Sequence, residues 1–543
     1  MKKSQGKRSR ESLEKLKESR LYGWRRLTVA LFCLLLLEIL LLAYGTIVFQ
    51  GEAAYLYDVH FFRKGLRPYS EFRVPQGPMI LAAYFAVGKL GSTGIWDARV
   101  LSGFYLAVAL LLLSRMTFLE RGWAGTAAFL LLQMCFPLSL QHSASLVGPY
   151  VLALLLLVVA VWSVVDPVLG DRIGSLSFGF FGILAVASRI VFLLPLGLLI
   201  LLFNKRESGF SLYLTILGGI SAFGALFLFL VPANDLASVF DQMVRVYWLS
   251  KVAHPVEGVG FDVVGRIFHI LRFGLLPLAG LVLTVGIEGV LLIAEKRNAL
   301  AREERGKPVE SAEGKKGLAE TAFVAGMGTL LAHFVVHPFY AQYFSMVVPW
   351  LVMAALLSLF RLWENKRRMV VGILAGVLLA NAAADIRAAR ALWSLGSSQL
   401  VLTQKIGKKL RTLFPGTKAV ICDVTAFSWE AGFEVPVGTE RGLATDWFEL
   451  IEKVAALEPN LLKRYHTLRR RDVELLIRNR VFEGVILTET QWFDEEIRNL
   501  LPSAGYKRIA TLNGGRWGRV ECYRLAEPIR SKRFAAHSER SIE

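Results

Sequence analysis

Long apolar runs, separated by short polar or basic stretches, recur between residues 27 and 386. A hydrocarbon core about 30 Å thick needs about 20 apolar residues in a helix that rises 1.5 Å per residue. The runs that reach or approach this length are 27–49, 98–114, 122–138, 148–165, 210–231, 270–294, 318–337, 341–360 and 369–386. The pattern predicts an α-helical polytopic membrane protein.

Two further apolar segments need a separate interpretation. Residues 175–203 contain Arg189 near their middle, which predicts two short spans that meet at the outer face of the membrane. Residues 77–90 are short and contain Gly and Pro, so we expect a helix that lies at the interface. The total is then about eleven spans.

Charge gives the expected orientation. Hydrophobic residues make up 54% of the chain, and the formal net charge is +19. Ten Lys and Arg residues precede the first span in 1–26, and seven more lie in 295–317. Basic residues beside membrane spans mark cytoplasmic flanks rather than nucleic-acid sites. We expect a cytoplasmic N-terminus, a retained first span rather than a cleaved signal, and an extracytoplasmic C-terminus.

Residues 387–525 change in character. Strand-length apolar runs (KAVICDV, FEGVILTE and RVECYRL) alternate with helical stretches, which predicts a soluble α/β domain. Residues 526–543 form a polar tail. Cys422 and Cys522 fall in two of these runs, so either a disulfide or two separate buried thiols is expected. The cysteines show no CxxC motif and no metal-ligand spacing; we expect no cofactor, and a divalent cation stays open.

The first part of the outer loop 51–97, residues 51–79, is dense in ionisable residues. They are Glu52, Asp58, His60, Arg63, Lys64, Arg67, Glu71 and Arg73. A solvated loop whose basic residues touch lipid headgroups would explain Arg63, Lys64 and Arg67. The carboxylates and Arg73 are also candidates for a role in catalysis or substrate binding.

The order of motifs in this loop resembles that of membrane-embedded glycosyltransferases of the GT-C class, including family 39 mannosyltransferases and aminoarabinose transferases. The similar stretches are Gly51-Glu52, Tyr55-Leu56-Tyr57, Pro68-Tyr69-Ser70-Glu71-Phe72, Pro75-Gln76-Gly77-Pro78 and Ala98-Arg99. His337-Pro338 with Tyr340, Tyr343, Phe344 and Pro349 resembles a late span of that class. The resemblance implies a GT-C-like domain over 27–386, in a bacterial-type inner membrane.

Two positions depart from the family pattern. The acidic pair after the first span is usually Asp-Glu, and Gly51 stands at the Asp position. A second family Asp, which opens the fourth span, falls near Gly148. Either Glu52 or Asp58 takes the role of base, or the activity is altered or lost.

The resemblance implies transfer of a sugar from a polyprenyl-phosphate carrier to an acceptor hydroxyl. A carboxylate would accept the proton of the acceptor, and cations would stabilise the departing phosphate. Glu52 is the first candidate for the base and Asp58 the second, with a carboxylate paired to Arg63 or Lys64 as the structural alternative. Arg73 and Arg189 are the candidates for the phosphate, with snorkelling to headgroups as their alternative.

The remaining candidate residues for substrate binding are Glu71, His337, Tyr340 and Tyr343. His333 and His337 lie four apart, a spacing that permits metal ligation, but packing or substrate hydrogen bonding is the main expectation. The expected partners are the lipid-linked sugar, membrane lipid, and a glycan, lipid or protein acceptor. A flippase of lipid-linked sugars and a catalytically degenerate scaffold are the alternative functions.

Overall fold

The computed structural model describes most of the chain. The described residues are 2–46, 48, 50–74, 76–138, 140, 147–206, 209–229, 236–245, 276–303, 317–335, 345–417, 419–439, 469–489 and 495–526. His337, Tyr340 and Tyr343 lie outside them. Residues 446–457 (DWFELIEKVAAL), one of the helical stretches expected in the C-terminal domain, also lie outside them.

Helices dominate residues 2–413. They are α1 (Lys2–Gly45), α2 (Gln50–Arg63), α3 (Met79–Ala83), α4 (Ile95–Met134), α5 (Pro149–Val165), α6 (Gly170–Ser188), α7 (Leu193–Arg206), α8 (Leu212–Phe229), α9 (Leu236–Phe240), α10 (Leu276–Glu303), α11 (Leu318–Val335), α12 (Val348–Glu364) and α13 (Arg368–Leu413). A 3₁₀ turn (Ile190–Phe192) separates α6 from α7, and a π-helical turn (Asp241–Arg245) follows α9. Each predicted apolar run overlaps one of these helices.

Several described helices have the length and composition of membrane spans. Four meet both criteria: Tyr22–Gly45, Ile95–Met134, Gly170–Ser188 and Arg368–Leu413. Shorter apolar helices cover Pro149–Val165, Ile190–Lys205, Leu212–Leu228 and Leu278–Leu291. Such a set of apolar helices is that of a multi-pass membrane protein.

The chain reverses within α4. Gly122 has a φ of 64° and a ψ of −162°, which no α-helix contains. The Thr126 hydroxyl donates to the Ser114 carbonyl oxygen at 3.4 Å, twelve residues back along the chain. In a straight helix these positions would be about 18 Å apart. The predicted spans 98–114 and 122–138 are therefore separate helices that fold back on each other.

The structure describes both ambiguous segments, and in neither does a single helix run through the whole length. Arg189 has extended backbone angles and separates α6 from α7, so 175–203 holds two helices. An added Cβ on Gly182 would meet the Leu196 side chain at 2.5 Å, which shows that α7 turns back toward α6. In 77–90, α3 has only five residues. Its length of about 8 Å is far too short to cross a bilayer.

The C-terminal domain is an α/β unit that begins on α13, a helix of 46 residues that passes residue 387 without a break. The elements that follow are β1 (Val420–Cys422), α14 (Thr425–Ala431), α15 (Arg470–Arg478), β2 (Gly484–Thr488), α16 (Glu495–Ser503), β3 (Tyr506–Asn513) and β4 (Arg519–Leu525). The sheet order is β1-β2-β4-β3, with β1 and β2 parallel and the other pairs antiparallel. All three predicted strands are present.

The two faces of the sheet pack against different partners. Val485 and Leu487 of β2 belong to a core with α15 and α16. Ile486 points the other way, because side chains alternate along a strand, and belongs to a core shared with the loop 51–97. A third and larger core holds the helices of the membrane part together. The domain is therefore packed onto the loop that carries the candidate residues.

Of the two alternatives for Cys422 and Cys522, the disulfide is wrong. Cys422 of β1 and Cys522 of β4 both lie opposite Ile486 of β2, on its two sides. Neighbouring strands are about 4.8 Å apart, so two strands separate these Cα atoms by roughly 9.5 Å. A disulfide tolerates about 7 Å. Both cysteines are buried free thiols, the alternative that the sequence left open.

Asp423 makes the stability of the C-terminal domain depend on pH. It follows β1 and is fully buried, and its Oδ2 accepts hydrogen bonds from the Thr488 N–H at 2.5 Å and the Thr488 hydroxyl at 2.8 Å. Burial raises its pKa from 3.8 to about 7, although these hydrogen bonds oppose the rise. A carboxyl group whose pKa is higher in the folded chain stabilises the fold below its unfolded pKa. That contribution is lost as the pH rises through the folded pKa.

We expect the unfolding temperature of the domain to fall between about pH 4 and about pH 7, the interval between the unfolded and folded pKa values, by the equivalent of at most about 4 kcal/mol. Tryptophan fluorescence during thermal unfolding measures it. Asp423→Asn keeps an oxygen acceptor for Thr488 but cannot ionise, so its pH dependence should be much smaller. The exposed Glu434→Gln is the control and should behave as the wild type. An Asp423→Asn variant with the wild-type pH profile would contradict this account.

Candidate functional site

The two candidate carboxylates lie on one continuous helix, α2, directly after the first span. Both are buried: Glu52 is 1% exposed and Asp58 is 0% exposed. Six residues of helix turn by about 600°, so their side chains leave α2 about 120° apart. Tyr55 lies between them in this projection, three residues from each. The two carboxylates therefore have separate surroundings.

Glu52 forms a buried ion pair with Arg99 at the start of α4. The Arg99 Nε donates to Glu52 Oε1 at 2.9 Å, and Nη2 donates to Oε2 at 2.7 Å. The same guanidinium donates through Nη1 to the carbonyl oxygens of Ala43 (2.9 Å) and Thr46 (3.0 Å). Both side chains are completely inaccessible. Both oxygens of Glu52 thus serve to hold three helix ends together.

The structural alternative for Glu52 therefore named the wrong partners. Lys64 pairs with Glu434 of the C-terminal domain at 2.5 Å, on the surface. Arg63 donates to the Phe85 carbonyl oxygen and lies 4.7 Å from the centre of the Phe85 ring. The position of Arg99 inside an apolar run was the signal available in the sequence, since a bare guanidinium there requires a partner.

Residues 147–150 connect Glu52 to Arg189. The Val147 N–H donates to Glu52 Oε1 at 3.4 Å. Three residues further on, the ring of Tyr150 lies under the guanidinium of Arg189, at 4.4 Å from its centre. A cation over an aromatic face is attracted by the ring quadrupole, more strongly where water is excluded. This stretch thus brings a carboxylate and a cation from distant parts of the chain to one region.

Gly148 explains one departure from the family pattern. A Cβ at this position would lie 3.1 Å from the Tyr150 ring and 3.3 Å from the Tyr55 ring. Two tyrosine rings therefore occupy the space that a side chain at 148 would need. At Gly51 the situation differs, because, among the described residues, a Cβ there would meet only the Tyr55 ring, at 3.9 Å. Those residues leave room at Gly51 for a larger side chain.

Arg189 lies at the break between α6 and α7 and is 5% exposed. The backbone of Gly77 packs directly on Ala187, so that an added Cβ would collide with the Ala187 carbonyl oxygen. This close approach explains the glycine and places the outer loop against the break. His333 of α11, whose Nδ1 lies 2.6 Å from the Thr329 carbonyl oxygen, is the neighbouring histidine.

Asp58 lies beside Tyr69 in the outer loop. Burial raises the pKa of the Tyr69 phenol well above its usual value, and the nearby charge of Asp58 raises it further. The Tyr69 hydroxyl donates to the Gln76 carbonyl oxygen at 2.7 Å, and the Gln76 Nε2 donates to the Tyr55 hydroxyl at 3.1 Å. These bonds link the surroundings of Asp58 to the ring that faces Gly148.

A glutamine from a distant segment fixes this turn. The Gln242 Oε1 accepts from the Val74 N–H at 3.0 Å, and its Nε2 donates to the Tyr69 carbonyl oxygen at 2.7 Å. Tyr69 has a φ of 69°, a backbone conformation that a bulky residue adopts only where its surroundings enforce it. Arg73, which precedes Val74, is 6% exposed. No pattern in the sequence indicated Gln242.

Glu71 has a local contact in this structure. Its Oε2 accepts the Arg67 backbone N–H at 2.5 Å, which closes the turn between the two residues. The contacts link Glu52 to Arg189 through the segment from Val147 to Tyr150. Separate hydrogen bonds through Gln76 link Tyr69, the neighbour of Asp58, to Tyr55. Among the described residues, no three His, Cys, Asp or Glu side chains are arranged as a set of metal ligands.

Comparison with known proteins identifies solved structures that have a similar fold. No protein-family model and no curated protein sequence matches this chain. The crystal structure of ArnT from Cupriavidus metallidurans bound to undecaprenyl phosphate has a TM-score of 0.60 at 14% identity, covering 93% of this chain and 98% of ArnT. The apo structure of the same ArnT has a TM-score of 0.55 at 14% identity, covering 93% of this chain and 99% of that one. The chain therefore has a GT-C-like fold similar to ArnT, which confirms at the level of the fold the resemblance found in the outer loop.

Proposed function

We propose that this protein is a membrane glycosyltransferase that moves a sugar, a hexose or a pentose, from a polyprenyl-phosphate carrier to an acceptor hydroxyl on the extracytoplasmic side. The observation that carries the proposal is the likeness of fold over 93% of the chain to a protein crystallised with undecaprenyl phosphate. Arg189 supports it, because a buried guanidinium is a suitable partner for a lipid phosphate. A glycan, a lipid or a protein is the acceptor.

The proposal includes the orientation of the chain. With eleven spans and a cytoplasmic N-terminus, the basic stretches 1–26 and 295–317 face the cytoplasm of a bacterial-type cell. The outer loop and the C-terminal domain then share the extracytoplasmic side. This is the side on which the carrier phosphate would meet Arg189.

The geometry changes the preferred base from Glu52 to Asp58. A general base must reach the acceptor hydroxyl with a lone pair. The two oxygens of Glu52 accept hydrogen bonds from Arg99 and Val147 inside a closed ion pair. Asp58 is the other carboxylate of α2 and lies three residues from Tyr55, whose ring faces Gly148. We therefore assign proton acceptance to Asp58 and positioning to Glu52.

Asp58→Asn should lower the rate of sugar transfer at least about 100-fold, because loss of a general base typically costs a factor of this size. The unfolding temperature should change little. The measurement reconstitutes the purified protein with radiolabelled polyprenyl-phosphate sugars and follows loss of sugar from the carrier. Glu52→Gln should instead lower the unfolding temperature by several degrees, because it leaves Arg99 with a neutral partner. A stable Glu52→Gln with no transfer and an active Asp58→Asn would reverse the two roles.

Arg189→Ala should weaken binding of the lipid phosphate about tenfold to 100-fold, the usual value of a charged hydrogen bond. Arg73→Ala tests the second candidate in the same titration with undecaprenyl phosphate. Arg189→Lys should be intermediate, because it keeps the charge and loses the planar fork. Arg63→Ala is the control, because Arg63 is a surface cation of the outer loop 51–97, like Arg73 in charge but exposed. Wild-type affinity in both Arg189→Ala and Arg73→Ala would exclude them from the phosphate site.

Gly51→Asp separates an enzyme from a degenerate scaffold. The position has room for a side chain, and the resemblance places a carboxylate there. If the chain is a working enzyme with Asp58 as base, we expect the substitution to change the transfer rate by less than about tenfold. An inactive wild type that gains transfer with Gly51→Asp would support the degenerate alternative. Carrier that crosses the bilayer with its sugar intact would support a flippase.

A further inference from the structure

The helix α14 of the C-terminal domain lies on the two helices that carry Glu52 and Arg99. Trp429 packs edge-on against Tyr57 of α2, with ring centres 5.1 Å apart. The Tyr57 hydroxyl donates to the Phe433 carbonyl oxygen at 2.7 Å. Tyr57 and Trp429 are both almost completely buried, so this contact is a core contact rather than a surface one. It fixes the helical turn that contains Asp58.

The same helix holds the start of α4. The first N–H groups of a helix have no partner within it and require capping. The Asp97 Oδ2 accepts the Gly94 N–H at 2.7 Å. The Ile95 N–H donates to the Glu430 Oε1 at 2.8 Å, so the second part of the cap comes from another domain, 335 residues away. The neighbouring Trp429 Nε1 donates to the Thr93 carbonyl oxygen at 3.0 Å. A carboxylate here also lies at the positive end of the helix dipole.

The backbones meet closely enough to exclude side chains. Gly432, with a φ of 74°, closes α14, and Gly91, with a φ of 77°, precedes α4. A Cβ on Gly432 would lie 3.1 Å from the Gly91 Cα. The loop before α4 is therefore held between its own helix and the C-terminal domain.

Arg99 is four residues, about one turn, beyond Ile95. A movement of Glu430 would thus change the position of the guanidinium that holds Glu52. Burial raises the pKa of Glu430. Glutamine keeps the side-chain oxygen that accepts the Ile95 N–H and cannot ionise, which makes it a suitable replacement.

We propose that Glu430 is a positioning residue of the membrane-embedded site, through which the C-terminal domain fixes the start of α4 and, by way of Arg99, the Glu52 end of α2. This inference rests on the proposed function for its kinetic consequence, but not for its structural one. The domain would then set the geometry of the transfer site in addition to any contact with the acceptor.

The test compares three variants of the full-length protein. Glu430→Ala removes the acceptor, Glu430→Gln keeps an oxygen, and Glu434→Ala removes an exposed carboxylate of the same domain. Hydrogen–deuterium exchange is measured without substrate, and kcat and KM are measured with labelled polyprenyl-phosphate sugar. In Glu430→Ala, exchange at 95–99 and in α2 should rise about threefold to thirtyfold, the range for loss of a helix cap. The kcat should fall by a similar factor while the KM for the carrier stays within about twofold.

Glu430→Gln should have hydrogen–deuterium exchange rates at 95–99 and in α2, and a kcat, close to those of the wild type. Glu434→Ala should change neither the exchange rates nor the kcat. Wild-type exchange at 95–99 in Glu430→Ala would overturn the proposal. A rise in exchange spread evenly over the whole chain would overturn it too, because it would indicate general destabilisation. If the wild type transfers no sugar, local exchange at 95–99 and α2 still supports the positioning contact, while the proposed function fails.

Discussion

The buried ion pair of Arg99 and Glu52 is the interaction on which the site depends. Removing both charges from water costs several kcal/mol each, which only good geometry and further hydrogen bonds recover. Arg99 meets this condition with two bonds to Glu52 and one each to Ala43 and Thr46. The pair therefore joins the end of the first span, the start of α2 and the start of α4. These elements can keep their relative positions without help from water.

The other parts of the site are connected to this ion pair by direct contacts. Glu52 accepts from Val147, and the chain from there to Tyr150 reaches Arg189 at the break between α6 and α7. On the other side, Arg99 follows a helix start that the C-terminal domain caps through Glu430. The cation that we propose for the phosphate and the carboxylates of α2 are thus attached to one framework, which is the arrangement that catalysis by preorganised charges would require.

The sequence predicted the features that depend on local composition. A charge within an apolar run predicted the break at Arg189, and the alternation of short apolar runs predicted β1, β2 and β4. The sequence did not predict the contacts between distant segments of the chain. Arg99, the partner of Glu52, lies 47 residues further along the chain, on a helix that only tertiary packing brings next to α2. Cys422 and Cys522 cannot form a disulfide because β2 lies between their two strands, a strand order that the sequence does not specify. Gln242 and Glu430 were missed for the same reason, since only the fold brings them to the loop.

The most direct test is a structure of this protein with undecaprenyl phosphate. We expect a phosphate oxygen within about 3 Å of the Arg189 guanidinium, on the side of the break that faces Tyr150, with the Arg99–Glu52 pair unchanged. A phosphate bound elsewhere, with Arg189 still stacked on Tyr150 and out of its reach, would show that Arg189 does not hold the carrier.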